Sequence, residues 1–194
     1  MDGIAVAVDG LGTLESPLGQ EQAQALLRLS VPASYGFRER TLLDVTVRHT
    51  GEIAAARLDL DWEDGERTRL LEEVARGLGV EAIDCRLHSL LVYGPGQFFK
   101  PHQDTEKCAG MVGTLVLIWP SAHIGGALRI EMDQRELRFV SQQLATTATC
   151  AGAPSMPTAA TRSNESRKVG AWRSLSTSSC LPTPASQRAQ QTRP

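Results

Sequence analysis

The sequence predicts a single α+β domain in which two amphipathic helices precede a run of antiparallel strands forming a curved sheet or barrel. Three observations carry that expectation. Apolar residues recur at helical spacing at Leu70, Leu71, Val74 and Leu78. From Ile83 to Tyr93 the period falls to two, as in a strand. Residues 111–119 are then a strongly apolar, β-branched run stopped by Pro120.

Each element follows from local chemistry. Residues 1–15 alternate apolar and small side chains, punctuated by Asp9-Gly10 and Gly12, and read as a short strand and turn. Ser16-Pro17 offers an N-cap and a first-turn proline, and Leu18, Ala23, Leu26 and Leu27 predict an amphipathic helix to Leu29. Pro32 ends it. Residues 42–47 and 53–60 suit short strands or the loops around them. Asp64-Gly65 reads as a turn and 66–78 as the second helix, with Gly79 as its C-cap. Gly94-Pro95-Gly96 interrupts the strand that ends at Tyr93. Gly125-Gly126 turns the chain into a strand at 127–132, with 137–140 as a hairpin partner across Asp133-Gln134.

Composition narrows the class. A chain of 194 residues, 41% hydrophobic and 22% charged, suits one soluble globular domain with a sizeable core. A net charge of −2 gives no ground for a nucleic-acid or membrane-surface partner. The N-terminus lacks a basic segment followed by an apolar run, and no stretch approaches the roughly 20 apolar residues that span a bilayer. Cys85, Cys108, Cys150 and Cys180 show no paired spacing and read as reduced thiols. The expectation is a cytoplasmic protein.

The average charge hides a boundary. Beyond residue 140 there are six basic residues and one acid, Glu165, so the tail carries +5 and residues 1–140 carry −7. Ala, Thr, Ser, Pro and Gln dominate 141–194 and no hydrophobic period persists. Such a segment buries too little surface to offset its ordering entropy and is predicted to be disordered. The domain is therefore expected to occupy 1–140.

The residues that could do chemistry centre on His102-Gln103-Asp104. On extended chain, residues two apart project to one face, so imidazole and carboxylate could converge on a metal. A facial set of two histidines and one carboxylate leaves positions open for cosubstrate and oxygen. The spacing alone fits an ordinary loop histidine and aspartate as well.

The surroundings decide between them. Tyr93, Gly94-Pro95-Gly96, His102-x-Asp104, the strand 113–119 with Pro120, and Gly125-Gly126 follow one another in an order that resembles the prolyl-4-hydroxylase-like branch of the iron(II)/2-oxoglutarate dioxygenases. The resemblance runs from about Leu87 to Ile130. It implies a double-stranded β-helix (jelly-roll) core with supporting N-terminal helices, incomplete at the C-terminus. It implies that His102 and Asp104 are metal ligands and that Tyr93 hydrogen-bonds the 2-oxoglutarate carboxylate. Fe(II) and 2-oxoglutarate are the implied cofactors, ascorbate a candidate reductant, and the substrate a protein, peptide or small molecule. For Tyr93 an ordinary strand tyrosine with a surface hydroxyl is the competing reading. Leu115, Leu117 and Trp119 read as core. His88 reads as solvent-facing or a satisfied core histidine, His49 as a residue in a loop or near the site entrance, and Arg48 and Glu52 as candidate substrate contacts. Glu106 and Glu131 are weaker candidates to complete a different metal site.

The resemblance also implies a second histidine after the Gly-Gly turn, and an arginine beyond it for the cosubstrate. Neither is present: the histidines are His49, His88, His102 and His123, and none follows Gly126. As written, the chain should bind iron and 2-oxoglutarate weakly and turn over slowly or not at all. A non-catalytic binding module that keeps the sheet is the alternative. The codons suggest a cause. Read from one nucleotide before each codon boundary, 150–163 permit an aromatic pair, then Ala-Asp, then His-Glu-Val, with the histidine spanning Ala160 and Thr161. Only the alanine across Met156 and Pro157 is forced; most other positions leave several residues open. Further on, 168–173 permit Gly-Trp-Arg. A shifted reading frame after about residue 140 accounts for both losses, and for the abrupt change of composition. Sequencing the gene and its transcript is expected to show a histidine codon across Ala160 and Thr161 in that frame; any other codon there removes the explanation.

Overall fold

In the computed structural model, which describes residues 4–37, 40–102, 110–123, 126–132, 135–139, 145–149, 160–163 and 173–182, the chain opens with β1 (Ile4–Val8) and β2 (Gly12–Thr13). Helix α1 (Gln20–Leu29) starts later than the sequence suggested. Gly19, not Ser16, stands at its N-cap without a side-chain hydrogen bond. Leu18 is instead held by the far end of the domain: its N–H donates to the Pro120 carbonyl at 2.7 Å. Short strands follow: β3 (Val31–Pro32), β4 (Tyr35–Phe37), β5 (Arg40–Leu42), β6 (Arg48–His49) and β7 (Gly51–Ala54). A 3-10 turn at Ala55–Arg57 leads into β8 (Leu58–Trp62).

Helix α2 (Asp64–Leu78) takes in the Asp64-Gly65 pair that the sequence suggested as a turn. Asp64 and Glu66 in its first turn complement the helix dipole, which favours acidic side chains there. Its end is as expected. Gly79 adopts φ 67°, a left-handed conformation that costs glycine little, and its N–H bonds back to Arg76 O.

Eight strands complete the described chain: β9 (Ile83–Tyr93), β10 (Phe98–His102), β11 (Gly113–Trp119), β12 (Leu128–Met132), β13 (Arg135–Phe139), β14 (Ala145–Thr149), β15 (Ala160–Ser163) and β16 (Arg173–Pro182). They are divided between two antiparallel sheets. One runs β14-β11-β16-β9-β7-β3 and the other β13-β12-β15-β10-β6. From β9 to β16 the chain passes back and forth: β9, β11, β14 and β16 lie in the first, β10, β12, β13 and β15 in the second. Strands β14, β15 and β16 lie within 141–194, the segment for which composition predicted disorder. Backbone hydrogen bonding to neighbours accounts for them. β16 runs between β9 and β11 and pairs with both along its length. Such pairing uses groups that every non-proline residue carries, so composition does not register it.

The core follows from the period of β9 and β11. Leu90, Val92 and Trp119 face one way, into a cluster with Val6, Val8, Ala23, Leu26 and Ile53. Leu115 and Leu117 face α2 and pack with Leu71, Val74, Ala75 and Leu78. Leu91, Tyr93, Val116 and Ile118 face the other way and meet Phe99 and Leu128 of the second sheet. The six-stranded sheet is thus covered by helices on one face and by the five-stranded sheet on the other. Trp119 reconciles burial with polarity by donating its indole N–H to the Glu15 carbonyl at 2.7 Å.

No helix among the described residues is long and apolar enough to cross a membrane. Leu115 and Ile118 are fully buried on opposite faces of β11, both at 0% exposure. Leu115→Ala and Ile118→Ala are each expected to lower the unfolding free energy by about 2–5 kcal/mol in urea titrations. Leu43→Ala, at a residue 62% exposed, is expected to change it by less than about 0.5 kcal/mol.

Candidate metal and cosubstrate site

The site is built where β9 hands the chain to β10. Tyr93 ends β9, and a tight turn follows in which the Gly94 N–H donates to Gln97 Oε1 at 2.7 Å and the Gln97 N–H to Gly94 O at 3.1 Å. Gly96 takes φ 74° within it. Because β9 and β10 belong to different sheets, this turn carries the chain across the sandwich and brings Tyr93 and the start of β10 to a common wall.

Phe99 is the centre of that wall. Its ring is buried and meets Tyr35 at 6.4 Å between centroids. The Arg48 guanidinium lies 4.6 Å from its centroid, within cation–π range. The His102 imidazole stacks on it at 3.5 Å with an 18° interplanar angle. In a regular strand, positions three apart face opposite sides. Here the pairing of β10 with β15 shifts register between Phe99 and His102, and Pro101 lies inside the shift. The bulge, at a proline that cannot donate to the ladder, brings both rings to one place.

The stacking is supported by a hydrogen bond that fixes the imidazole's chemistry. His102 Nδ1 lies 2.9 Å from the Lys100 carbonyl oxygen. A carbonyl only accepts, so Nδ1 carries the proton and Nε2 holds the lone pair that can bind a metal.

Arg48 is the second polar group. A turn sets it in place: the N–H groups of Val47 and Arg48 both donate to Asp44 O, at 3.0 and 2.9 Å. The Thr46 hydroxyl and then its backbone N–H bond to the Asp44 carboxylate and hold it below the usual carboxylate range. Arg48 Nη1 donates to the Ser34 carbonyl, and among the described residues its buried Nε has no hydrogen-bond partner. A guanidinium edge with a donor to spare is suited to a carboxylate.

The sequence-predicted residues fall out unevenly. His102 is half-buried at the end of β10, and Tyr93 is buried beside Phe99. Tyr93 is thus a strand residue whose side chain packs in the wall. Asp104, Glu106 and Cys108 lie outside the described residues, as does the side chain of Glu131. His88 is exposed, as one of its readings had it. His49 is a strand residue rather than a loop residue: it pairs with Phe98 and meets that ring edge-on at 6.4 Å. His123 is buried, with Nδ1 donating to Ser121 O at 2.8 Å. Sequence reasoning missed Phe99, because its partnership with His102 depends on the bulge. Pro101 is the only local sign of it.

Among the described residues no three His, Cys, Asp or Glu side chains gather to hold a metal. His102 offers Nε2, but its ladder partner on β15 is Thr161, and a threonine does not belong to a two-histidine, one-carboxylate set. The described residues therefore do not fit a complete ferrous facial site.

Neither a protein-family model nor a curated protein matches the chain. Among solved structures, the chain is similar to a prolyl-4-hydroxylase from Pseudomonas putida, at 17% identity over 93% of this chain and 92% of that one, with a TM-score of 0.48. It is also similar to the viral collagen prolyl hydroxylase of Paramecium bursaria Chlorella virus-1, solved as a 2OG complex, at 10% identity over 94% and 97% of the two chains, with a TM-score of 0.46.

Proposed function

We propose that this chain is an iron(II)/2-oxoglutarate dioxygenase domain of the prolyl-4-hydroxylase-like kind, impaired as written because one metal ligand and the cosubstrate arginine are absent. The observation that carries this reading is the placement of Tyr93 and His102. They end two successive strands of different sheets and share the wall around Phe99, where the Lys100 carbonyl holds His102 Nδ1. The alternation of β9 to β16 between the sheets supports a double-stranded β-helix as the frame. Of the strands among the described residues, β9 to β16 are the eight divided in this way between the two sheets. In this reading His102 and Asp104 are the remaining ligands, and Tyr93 is a donor to 2-oxoglutarate. Arg48 takes a carboxylate of cosubstrate or substrate. The protein acts in the cytoplasm on a protein, peptide or small molecule, with ascorbate as an accessory reductant.

Titration with Fe(II) and 2-oxoglutarate, followed by the visible absorbance of their complex, tests the reading on two chains. The chain as written is expected to show little complex and no turnover-coupled 2-oxoglutarate decarboxylation. The frame-restored chain is expected to show both. Decarboxylation by the chain as written overturns the impairment. Absence of the complex in a folded, frame-restored chain overturns the dioxygenase assignment and favours the non-catalytic binding module.

A further inference from the structure

Two buried polar atoms on one short stretch of chain are left without partners. Arg48 Nε and the Thr50 hydroxyl oxygen are both inaccessible, and neither has a hydrogen-bond partner among the described residues. Leaving a buried polar group unpaired is costly. Thr50 is only 3% exposed. His49 between them is exposed, so Arg48 and Thr50 turn to the inner side, as alternation along extended chain requires. The register shows where this stretch runs. Arg48 is the ladder partner of Phe99 in one sheet, and Gly51 is the partner of Val92 in the other. Residues 48–51 therefore cross the sandwich, as the turn after Tyr93 does. The crossing is held against α1, because a Cβ at Gly51 would collide with Ser30 at the helix C-cap.

The guanidinium is anchored on one side and unused on the other. Nη1 donates to the Ser34 carbonyl, and the central carbon lies 4.6 Å from the Phe99 ring centroid, which leaves the Nε side of the fork. Among the described residues Arg48 forms no ion pair. Asp44, in the turn just before it, gives its carboxylate to the Thr46 hydroxyl and N–H. A half-buried cation with a spare N–H, on the same inner side as a spare hydroxyl, offers two donors and a positive charge, the chemistry that takes a carboxylate. β6 is the last strand of its sheet, so the half-buried guanidinium is reached from solvent at that edge. Tyr93, the residue assigned to the cosubstrate, ends a strand of the other sheet.

We propose that Arg48 and Thr50 bind a carboxylate of the substrate, so that this chain takes acidic molecules, either a small carboxylic acid or a peptide through an acidic side chain. The proposal rests on the dioxygenase reading for calling the ligand a substrate. The carboxylate site itself rests on the two unpaired groups and the absence of a counter-charge for Arg48 among the described residues.

The test is calorimetric titration of the metal-free, full-length chain with glutarate, N-acetylglutamate amide, the neutral N-acetylglutamine amide and 2-oxoglutarate. Glutarate or the glutamate amide is expected to bind roughly tenfold or more tighter than the glutamine amide, and the tighter of the two acids tells a free acid from a peptide side chain. R48K, which keeps the charge and loses the fork, and T50V, which keeps the shape and loses the hydroxyl, are each expected to remove most of that preference. T50V is expected to do so without lowering the urea midpoint, since it removes an unpaired buried group; a residue serving stability alone would show the opposite pattern. No preference for the acids in the unsubstituted chain overturns the proposal, whatever the variants do. So does a preference that survives both variants, or a loss in R48K confined to 2-oxoglutarate, which would assign Arg48 to the cosubstrate. None of these arms needs iron. Acid preference in a chain whose frame-restored form gives no ferrous complex upholds the carboxylate site and overturns the dioxygenase reading; a ferrous complex without acid preference does the reverse.

Discussion

Strand β11 along its length and β9 over its last residues, Leu90 to Tyr93, are buried on both faces, and the rest of the architecture follows from covering them. An open sheet with such strands at its centre needs a layer on each side. Leu90, Val92 and Trp119 draw in α1 with β1, and Leu115 and Leu117 draw in α2. Leu91, Tyr93, Val116 and Ile118 leave only the opposite face, which the second sheet fills with Phe99 and Leu128. That last contact is also the floor of the candidate site. The packing that stabilises the domain and the wall that positions His102 are one set of residues, so the site cannot shift without disturbing the core.

The parts legible in the sequence were those with a strong period or a strong stop. β9, β11, the end of α2 at Gly79 and the turn after Tyr93 all lie where alternation, helical spacing, glycine or proline placed them. The start of α1 was misplaced because Ser16-Pro17 carries the chemistry of a cap, while tertiary pairing of Leu18 with the end of β11 delays the helix. Asp64-Gly65 was misplaced for the opposite reason: two poor helix formers are tolerated in a first turn, where the dipole favours the aspartate.

The candidate site was legible as a list and not as a geometry. Tyr93 and His102 could be named from their order along the chain. What joins them could not, because Phe99 meets His102 through a register shift, and register depends on a partner strand sixty residues away. Arg48 reaches the same ring from β6, which falls between the ranges 42–47 and 53–60 that the sequence left as strand or loop. Neither contact leaves a local period. Both depend on pairing between segments far apart in sequence, to which single-segment patterns are blind.

The C-terminal strands separate what a backbone specifies from what side chains specify. A ladder needs one N–H and one carbonyl per residue, and Ala, Ser and Thr supply these as well as any residue. An apolar neighbour such as β11 can therefore seat β14 and β16 beside it although neither is rich in large apolar residues. Side-chain identity has no such tolerance. The ladder places Thr161 opposite His102, Arg162 opposite Arg129 and Ser163 between Phe99 and Leu128, through backbone groups that any non-proline residue carries. Topology and chemistry thus come apart in this chain. Backbone pairing sets which residues stand opposite one another, and the side chains set what they can do there.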